Sequence, residues 1–247
     1  GRIPAEIIIE NISPRTKVVS VSAVQFLSGY KTDLKSIGKY CRENDIFLVV
    51  DGIQALGADE INVEEMKIDA LASGGLKWLM APLGVGFLYL NDRTLKNFTP
   101  VRTGWFSVED PWDLLNYNQP WLKNALRLED GTPNMLGITG LNASLKTLLD
   151  IGILNISRHI QMLTSQLIEM IQSEKKFQLY TSIKSNERAG IITFKTREQM
   201  DSEKLIMELK QENISVSFRE GFIRMAPHYY NTPEEVHIAF EEIRKRI

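Results

Sequence analysis

Cysteine, histidine and long apolar runs are scarce in this sequence, and each scarcity excludes a class of protein. The single cysteine, Cys41, excludes an internal disulfide framework and a cysteine-based zinc site. The three histidines lack metal-ligand spacing, so we expect no metal centre. No run of about 18 apolar residues occurs, which excludes a membrane-spanning helix. These absences predict a chain that folds in a reducing cytoplasm.

An excess of charge of one sign is lacking as well. The 29 Lys and Arg residues nearly balance the 31 Asp and Glu residues, giving a net charge of -2. Without a global basic field, the protein is not expected to bind nucleic acid or anionic lipid. The 247 residues, 43% of them hydrophobic, suffice for two domains with separate cores. The composition is that of a globular protein large enough to be an enzyme.

Two strands flank a helix near the start of the chain. Residues 17–24 are rich in β-branched side chains and residues 46–50 are uniformly apolar, which predicts buried strands. Between them, Asp33 begins a segment whose apolar side chains, Cys41 included, recur at helical spacing. The order strand, helix, strand predicts a parallel pair.

Further strands extend the same sheet. A short helical turn is expected at residues 63–66, a strand at 69–72, and another strand at 85–90 after a Gly-rich bend that contains Lys77. Ligands of such sheets bind beyond the strand ends. Asp51 ends the strand at 46–50, so Asp51 and Lys77 both lie where a site is expected.

The second half of the chain predicts a smaller domain. Residues 101–133 are irregular, and long helical patterns follow, one of them at 155–173. The tail alternates strands with helices; the strands are expected at 191–195, 214–218 and 222–225, and the helices at 201–211 and 233–245. We therefore divide the chain into a sheet domain, residues 1–140, and a compact α+β domain, residues 141–247.

Asp51 and Lys77 carry the chemistry of the first half, although each also has an ordinary structural interpretation. Asp51 could be a turn residue, and a loop lysine is usually solvated. However, Gln54 and the adaptable Gly52 follow Asp51. Lys77 is surrounded by apolar and small residues, which disfavour its charged form and favour a nucleophilic amine.

Four segments resemble one enzyme family. VVDGIQALGA (49–58) and SGGLKWLMAPLGVGFLYL (73–90) resemble the cofactor-binding core of class V aminotransferases, a group that includes cysteine desulfurases and isopenicillin-N-epimerase-like proteins. RLEDGTPN (127–134) and IRMAPHYYNTPEEV (223–236) agree and follow in family order. The resemblance implies the α/β fold type I of transferases that use pyridoxal 5′-phosphate (PLP), with a three-layer, mostly parallel sheet domain and a smaller α+β domain.

The resemblance also implies roles for particular residues. Lys77 would hold PLP as a Schiff base and later move the substrate proton. Asp51 would pair with the pyridine nitrogen, and Gln54 would hydrogen-bond the phenolic oxygen. The substrate would be an amino acid.

Three further residues are implied for anion binding. Ser73, with the bend that follows it, would contact the phosphate. Thr132 would reach the phosphate of a partner subunit's cofactor, which makes a homodimer with shared active sites, unless it is a plain loop residue. Arg224 would hold the substrate α-carboxylate through its two-point fork, unless it is an edge-strand surface arginine.

The sequence departs from the family at three points. Desulfurases need a cysteine shortly before the segment matching 223–236, and none is present, which argues against the persulfide route. Leu76 stands where many relatives have histidine. The family's N-terminal phosphate loop precedes the segment matching Gly1, so we expect the natural protein to be longer.

Several functions stay open at this point. Transamination, racemisation, elimination and selenocysteine-lyase-type chemistry all fit the residues. A non-catalytic homologue of the fold is a second class. A nucleotide-binding α/β protein unrelated to PLP is a third, but the sequence has no Gly-rich strand-turn-helix: the Gly-Val-Gly at 84–86 precedes a strand, whereas the dinucleotide-binding fingerprint must follow one.

Overall fold

The computed structural model describes residues 1–197 and 200–247, in which seven α-helices and eight strands are found. The helices are α1 Ala5–Glu10, α2 Leu34–Glu43, α3 Asp92–Asn97, α4 Met135–Ile151, α5 Ile153–Ser173, α6 Ser202–Gln211 and α7 Pro233–Arg246. The strands are β1 Val18–Ser22, β2 Phe47–Asp51, β3 Ala70–Gly74, β4 Gly86–Leu90, β5 Phe177–Leu179, β6 Ile192–Thr196, β7 Ser217–Arg219 and β8 Phe222–Met225. Within those described ranges, no helix has the length and apolar character needed to cross a membrane.

The first four strands form one sheet in the order β1-β2-β3-β4. β1, β2 and β3 are parallel, and β4 is antiparallel to β3. Helix α2 connects β1 to β2 and begins where predicted, because the Asp33 carboxylate accepts the Ser36 N–H. Its buried face includes Cys41, as the helical spacing predicts. The parallel arrangement brings the carboxyl ends of β1, β2 and β3 to one edge.

The helical turn expected at residues 63–66 is found as a single turn, in which the Met66 N–H donates to the Asn62 carbonyl and which Lys67 closes with a positive φ of 54°. Other predicted elements differ from the structure. β7 is shorter and later than the strand predicted at 214–218, since only Ser217–Arg219 pairs with β8. The helices α1 and α3 and the strand β5 were not predicted, because each is too short to show a period.

The second sheet is antiparallel throughout, in the order β5-β6-β8-β7. Helices α5, α6 and α7 contribute buried residues to its core, together with Phe194 of β6. Helix α5 belongs to both cores: Ile160 packs with the first, and Leu163 packs with the second. The proposed division at residue 140 falls inside α4.

Candidate active site

The pocket that contains Lys77 lies between the two sheets and has a volume of about 370 Å³. This volume is within the roughly 300–1,000 Å³ typical of small-molecule sites. The first half of the chain contributes Phe26, Gln54, Lys77 and Trp78, and the second half contributes Arg219, Arg224, His228 and Tyr230. The pocket therefore exists only because both halves of the chain fold against each other.

A second cleft, of about 610 Å³, is larger, but its cations are already neutralised by neighbouring carboxylates. Its three cations pair as follows: Arg2 with Glu187, Lys31 with Asp59 and Lys35 with Glu65. By contrast, the three cations of the Lys77 pocket have no ion pair within the described residues. Unpaired cations around a cavity favour an anionic ligand, so the smaller pocket is the candidate site.

Lys77 lies in a closed loop between β3 and β4. The Lys77 carbonyl accepts the Met80 N–H at 2.9 Å, and the Gly75 carbonyl accepts the Ala81 N–H at 2.8 Å. The Gly75 N–H donates to the Val85 carbonyl at 2.8 Å, which joins the two ends of the loop. These bonds hold the backbone under Lys77 in one conformation.

The surroundings of Lys77 lower its pKa. Partial desolvation is the largest cause, the nearby Arg224 cation adds to it, and the Asp51 carboxylate acts in the opposite sense. The side chain is still open to solvent, so screening keeps these effects modest. A lowered pKa increases the fraction of neutral amine, the form that attacks a carbonyl carbon.

Asp51 is the last residue of β2, at the carboxyl edge of the parallel strands. Its Oδ1 accepts the Ile53 N–H at 2.9 Å, which forms a turn and fixes the carboxylate. No hydrogen bond reaches Oδ2 from any described residue. Asp51 thus serves as a turn residue and also keeps one carboxylate oxygen available beside the pocket.

Gln54 is oriented by a hydrogen bond from a buried tryptophan. Only 6% of Gln54 is exposed, and its Oε1 accepts the Trp78 Nε1–H at 3.2 Å. An indole nitrogen can only donate, so the oxygen must face Trp78 and the amide nitrogen must lie on the other side. This nitrogen has no hydrogen-bond partner among the described residues and is available as a donor.

His228 connects the C-terminal half to the loop that carries Lys77. Its ring stacks on Trp78 with centroids 5.1 Å apart, and its Nε2 lies 3.2 Å from the Trp78 carbonyl oxygen. Its Nδ1 accepts the Tyr229 N–H at 2.9 Å. These partners require the neutral tautomer with the proton on Nε2. Burial lowers the pKa of His228, which favours the same neutral form.

Arg224 is a half-buried cation on β8. Its Nε–H donates to the Phe26 carbonyl at 2.8 Å, which holds the guanidinium in the pocket. Burial and the nearby Arg219 cation lower the Arg224 pKa. Its outer nitrogens meet only a 3.5 Å contact to Ser217 among the described residues. The arrangement presents the fork that binds a carboxylate.

Two of the expected phosphate contacts lie outside this pocket. Ser73 is buried at the end of β3, with its hydroxyl directed at the Gly74 carbonyl. The Gly75 N–H is already used by Val85, so that part of the bend cannot bind an anion through this N–H. Thr132 is exposed in the loop before α4. The roles of Ser73 and Thr132 stay predictions.

The structure adds residues that the sequence analysis did not assign to the site. Trp78 directly follows Lys77, and His228 lies four residues after Arg224, so proximity to assigned residues was the available signal. Arg219 lies five residues before Arg224, and the β7–β8 hairpin brings it into the same pocket.

Comparison with known proteins identifies the family. The model of the family "Aminotransferase class-V" matches residues 1–238. The chain belongs to the class V aminotransferase family. An uncharacterised aminotransferase, YcbU of Bacillus subtilis, is 30% identical over 98% of the chain, and the match spans 63% of YcbU. The chain thus spans less than two thirds of the length of this relative.

Solved structures agree on the fold. The apo cysteine desulfurase of Thermococcus onnurineus superposes with a TM-score of 0.89 at 25% identity, covering 99% of this chain and 63% of the desulfurase. The cystine C-S lyase C-DES, in a variant with glycine covalently linked to its PLP cofactor, gives a TM-score of 0.87 at 22% identity, covering 96% and 63%. The mostly parallel sheet domain and the smaller α+β domain of fold type I are confirmed.

Proposed function

We propose that the protein is a PLP-dependent aminotransferase that acts on an amino acid, with Lys77 holding the cofactor as a Schiff base. The supporting observation is a set of complementary groups in or next to one pocket: Lys77 and Gln54 line it, and Asp51, which does not line it, is near enough to influence the pKa of Lys77. Lys77 supplies an amine of lowered pKa, Asp51 a carboxylate oxygen, and Gln54 an unpaired N–H donor. This donor set matches the aldehyde, pyridine nitrogen and phenolic oxygen of PLP.

The cofactor supplies an electron sink for the substrate carbon, and the chain's own residues prepare it. The free oxygen of Asp51 would face the ring nitrogen and favour its protonated form. The Gln54 amide would donate to the phenolic oxygen and fix the ring plane. The neutral Lys77 amine would serve as the base that takes the proton from the substrate α-carbon and, once protonated, as the acid that gives it back.

Arg224 orients the substrate. Its two outer nitrogens pair with the α-carboxylate, and the Phe26 carbonyl keeps the guanidinium in place. The carboxylate also neutralises a cation that otherwise has no anionic partner within the described ranges. The substrate is therefore held by the second half of the chain while the first half performs the chemistry.

We also propose that the enzyme is a cytoplasmic homodimer. Large apolar side chains are exposed between residues 105 and 121 and at the start of α4: Trp112 is 74% exposed, Leu115 84%, Tyr117 87% and Leu136 88%. A cluster of this kind is typical of a protein interface. Thr132 lies in the same stretch of chain, where it could reach a partner's phosphate.

Three alternatives to an aminotransferase either catalyse a different reaction or catalyse none. A lyase or epimerase would use the same Lys77 and Arg224 and release a different product. A desulfurase of the persulfide type needs an accessible cysteine, but Cys41 is 0% exposed, burial raises its thiol pKa, and it is not part of the Lys77 pocket. A non-catalytic homologue would bind PLP without turnover.

The test uses the full-length protein. PLP is added to the wild type, Lys77→Ala and a matched control, Lys39→Ala, which changes an exposed lysine on α2. We expect the visible absorbance of lysine-bound PLP in the wild type and the control, and its loss in Lys77→Ala. Amino acids are then screened for conversion to keto acids. An unchanged spectrum in Lys77→Ala would contradict the proposal.

A further inference from the structure

The buried contact between Trp78 and Gln54 has a consequence for ligand binding that lies beyond Lys77 itself. Gln54 has one acceptor and two donors on its amide, and either end could face the pocket. Trp78 removes this freedom, since its Nε1–H can only donate and lies 3.2 Å from Oε1. Both side chains are buried, Trp78 to 5% and Gln54 to 6% exposure, so water competes little for the bond.

Trp78 is itself held on several sides. A Cβ added at Gly190 would lie 2.4 Å from the Trp78 ring, and one added at Gly57 would lie 2.3 Å from its carbonyl oxygen. Gly57 also has a φ of 95°, which favours glycine. The indole therefore packs against the backbone at Gly190, while the backbone of Trp78 packs against Gly57, and together these contacts leave the residue little room to move.

His228 also contacts Trp78, through both the indole ring and the backbone carbonyl of Trp78. It stacks on the indole and donates from Nε2 to the Trp78 carbonyl, while the Tyr229 N–H fixes the His228 tautomer. The position of the Gln54 amide thus depends on a residue 174 positions away in sequence. Neither Trp78 nor His228 needs to touch the reacting atoms for this to matter.

We propose that Trp78 and His228 are positioning residues that orient the Gln54 amide with its N–H₂ group toward the pocket, as a donor to an anionic oxygen of the ligand. If the proposed function holds, that oxygen is the phenolic oxygen of PLP. This orientation of the Gln54 amide favours a negatively charged ligand oxygen. A flipped amide would present its carbonyl oxygen to the pocket and repel the same anion.

A double-mutant cycle on PLP affinity tests this in the full-length protein. Gln54→Ala is expected to weaken PLP binding about tenfold, the effect of losing a hydrogen bond to a charged group. Trp78→Phe removes the N–H and is expected to weaken binding several-fold. In the Gln54→Ala background, Trp78→Phe should change the affinity less than twofold, because it acts through Gln54. Trp112→Phe, at an exposed tryptophan, is the matched control.

A second variant keeps the proposal testable if Trp78→Phe does not fold. In Gln54→Glu one oxygen accepts from Trp78 and the other faces the pocket, so PLP should bind more weakly than in Gln54→Ala. His228→Leu should weaken PLP binding in the wild type but not in Gln54→Ala. Equal losses in both backgrounds, or equal affinities of the Ala and Glu variants, would overturn the proposal. Failure of the wild type to bind PLP would instead overturn the proposed function.

Discussion

The two sheets of this protein contribute different kinds of groups to the pocket. The parallel sheet contributes Gln54 and Lys77 from the segments that follow β2 and β3, and Asp51, the last residue of β2, lies near Lys77 at the edge where the strand ends meet. The antiparallel sheet contributes Arg219 and Arg224 from one hairpin. The first set suits cofactor chemistry and the second set suits anion recognition. If the proposed roles hold, the residues for chemistry and those for substrate recognition come from two different sheets that meet at the pocket.

The largest expected effect is on the free energy of unfolding, and it tests whether the two sheets unfold as one cooperative unit. Phe194 is 0% exposed in the second core and packs on Phe177 and Phe240. Phe194→Ala should lower the free energy of unfolding by about 3–5 kcal/mol through the lost contacts and the cavity. Because α5 contributes to both cores, we expect one cooperative transition by circular dichroism and by pocket fluorescence. The control is Leu48→Ala in the first core. Two separate transitions would contradict a shared folding unit.

Asp51→Asn should affect chemistry alone. The asparagine oxygen can still accept the Ile53 N–H, so the turn is preserved. The negative charge that supports the protonated ring is lost, and turnover should fall about 100-fold, similar to the loss of one electrostatic group in an active site. Amino-acid turnover is measured at saturating PLP, with the exposed Asp92→Asn as control. A change in KM with no change in kcat would contradict this prediction and show that Asp51 acts in substrate recognition.

Arg224→Ala should affect substrate recognition most, with a smaller effect on the Lys77 pKa, which Arg224 helps to lower. Losing charge-assisted hydrogen bonds to the carboxylate should raise the KM for amino acids about 10- to 100-fold. PLP affinity should stay within about twofold of the wild type. The exposed Arg158→Ala on α5 is the control. Equal losses of cofactor affinity and substrate affinity would show that cofactor binding and substrate binding do not depend on separate sets of residues.

The smallest expected effect is a pH dependence of folding stability caused by His228, which connects the two halves of the chain. The pKa of His228 is lowered by burial, so the unfolded chain binds the extra proton first as the pH falls below the ordinary histidine value of about 6.5. Between 6.5 and the lowered value, stability should therefore decrease with falling pH. Thermal unfolding of the wild type should show a steeper decrease than that of His228→Gln. Equal slopes would show that His228 is not buried as a neutral ring.

Sequence alone predicted the strands of the first, mostly parallel sheet better than those of the second, antiparallel sheet. The run at 46–50 and the cap at Asp33 are local signals, and they placed β2 and α2 nearly to the residue. Strands of the second sheet are short, and β7 was predicted too early because its pairing with β8 depends on the turn at Glu220 and Gly221, both with positive φ. Local pattern does not determine such a register.

The candidate site divides in the same way. Lys77, Asp51 and Gln54 were assigned because they fall in one continuous pair of segments resembling the family. Arg219 and His228 were not assigned, although both lie within five residues of Arg224, because only the packing of distant elements shows that they line the same pocket as Lys77. The Trp78–Gln54 bond also needed the structure, because no spacing rule connects residues 54 and 78.

The most direct test of the account is to locate the covalent attachment of PLP. The full-length protein is incubated with PLP, reduced with borohydride, digested and analysed by mass spectrometry. We predict that the cofactor is found on the peptide containing Lys77, and that prior incubation with an amino-acid substrate reduces this labelling. Stoichiometric labelling of another lysine, or none in protein that is folded, would contradict the assignment of Lys77 as the cofactor-binding residue.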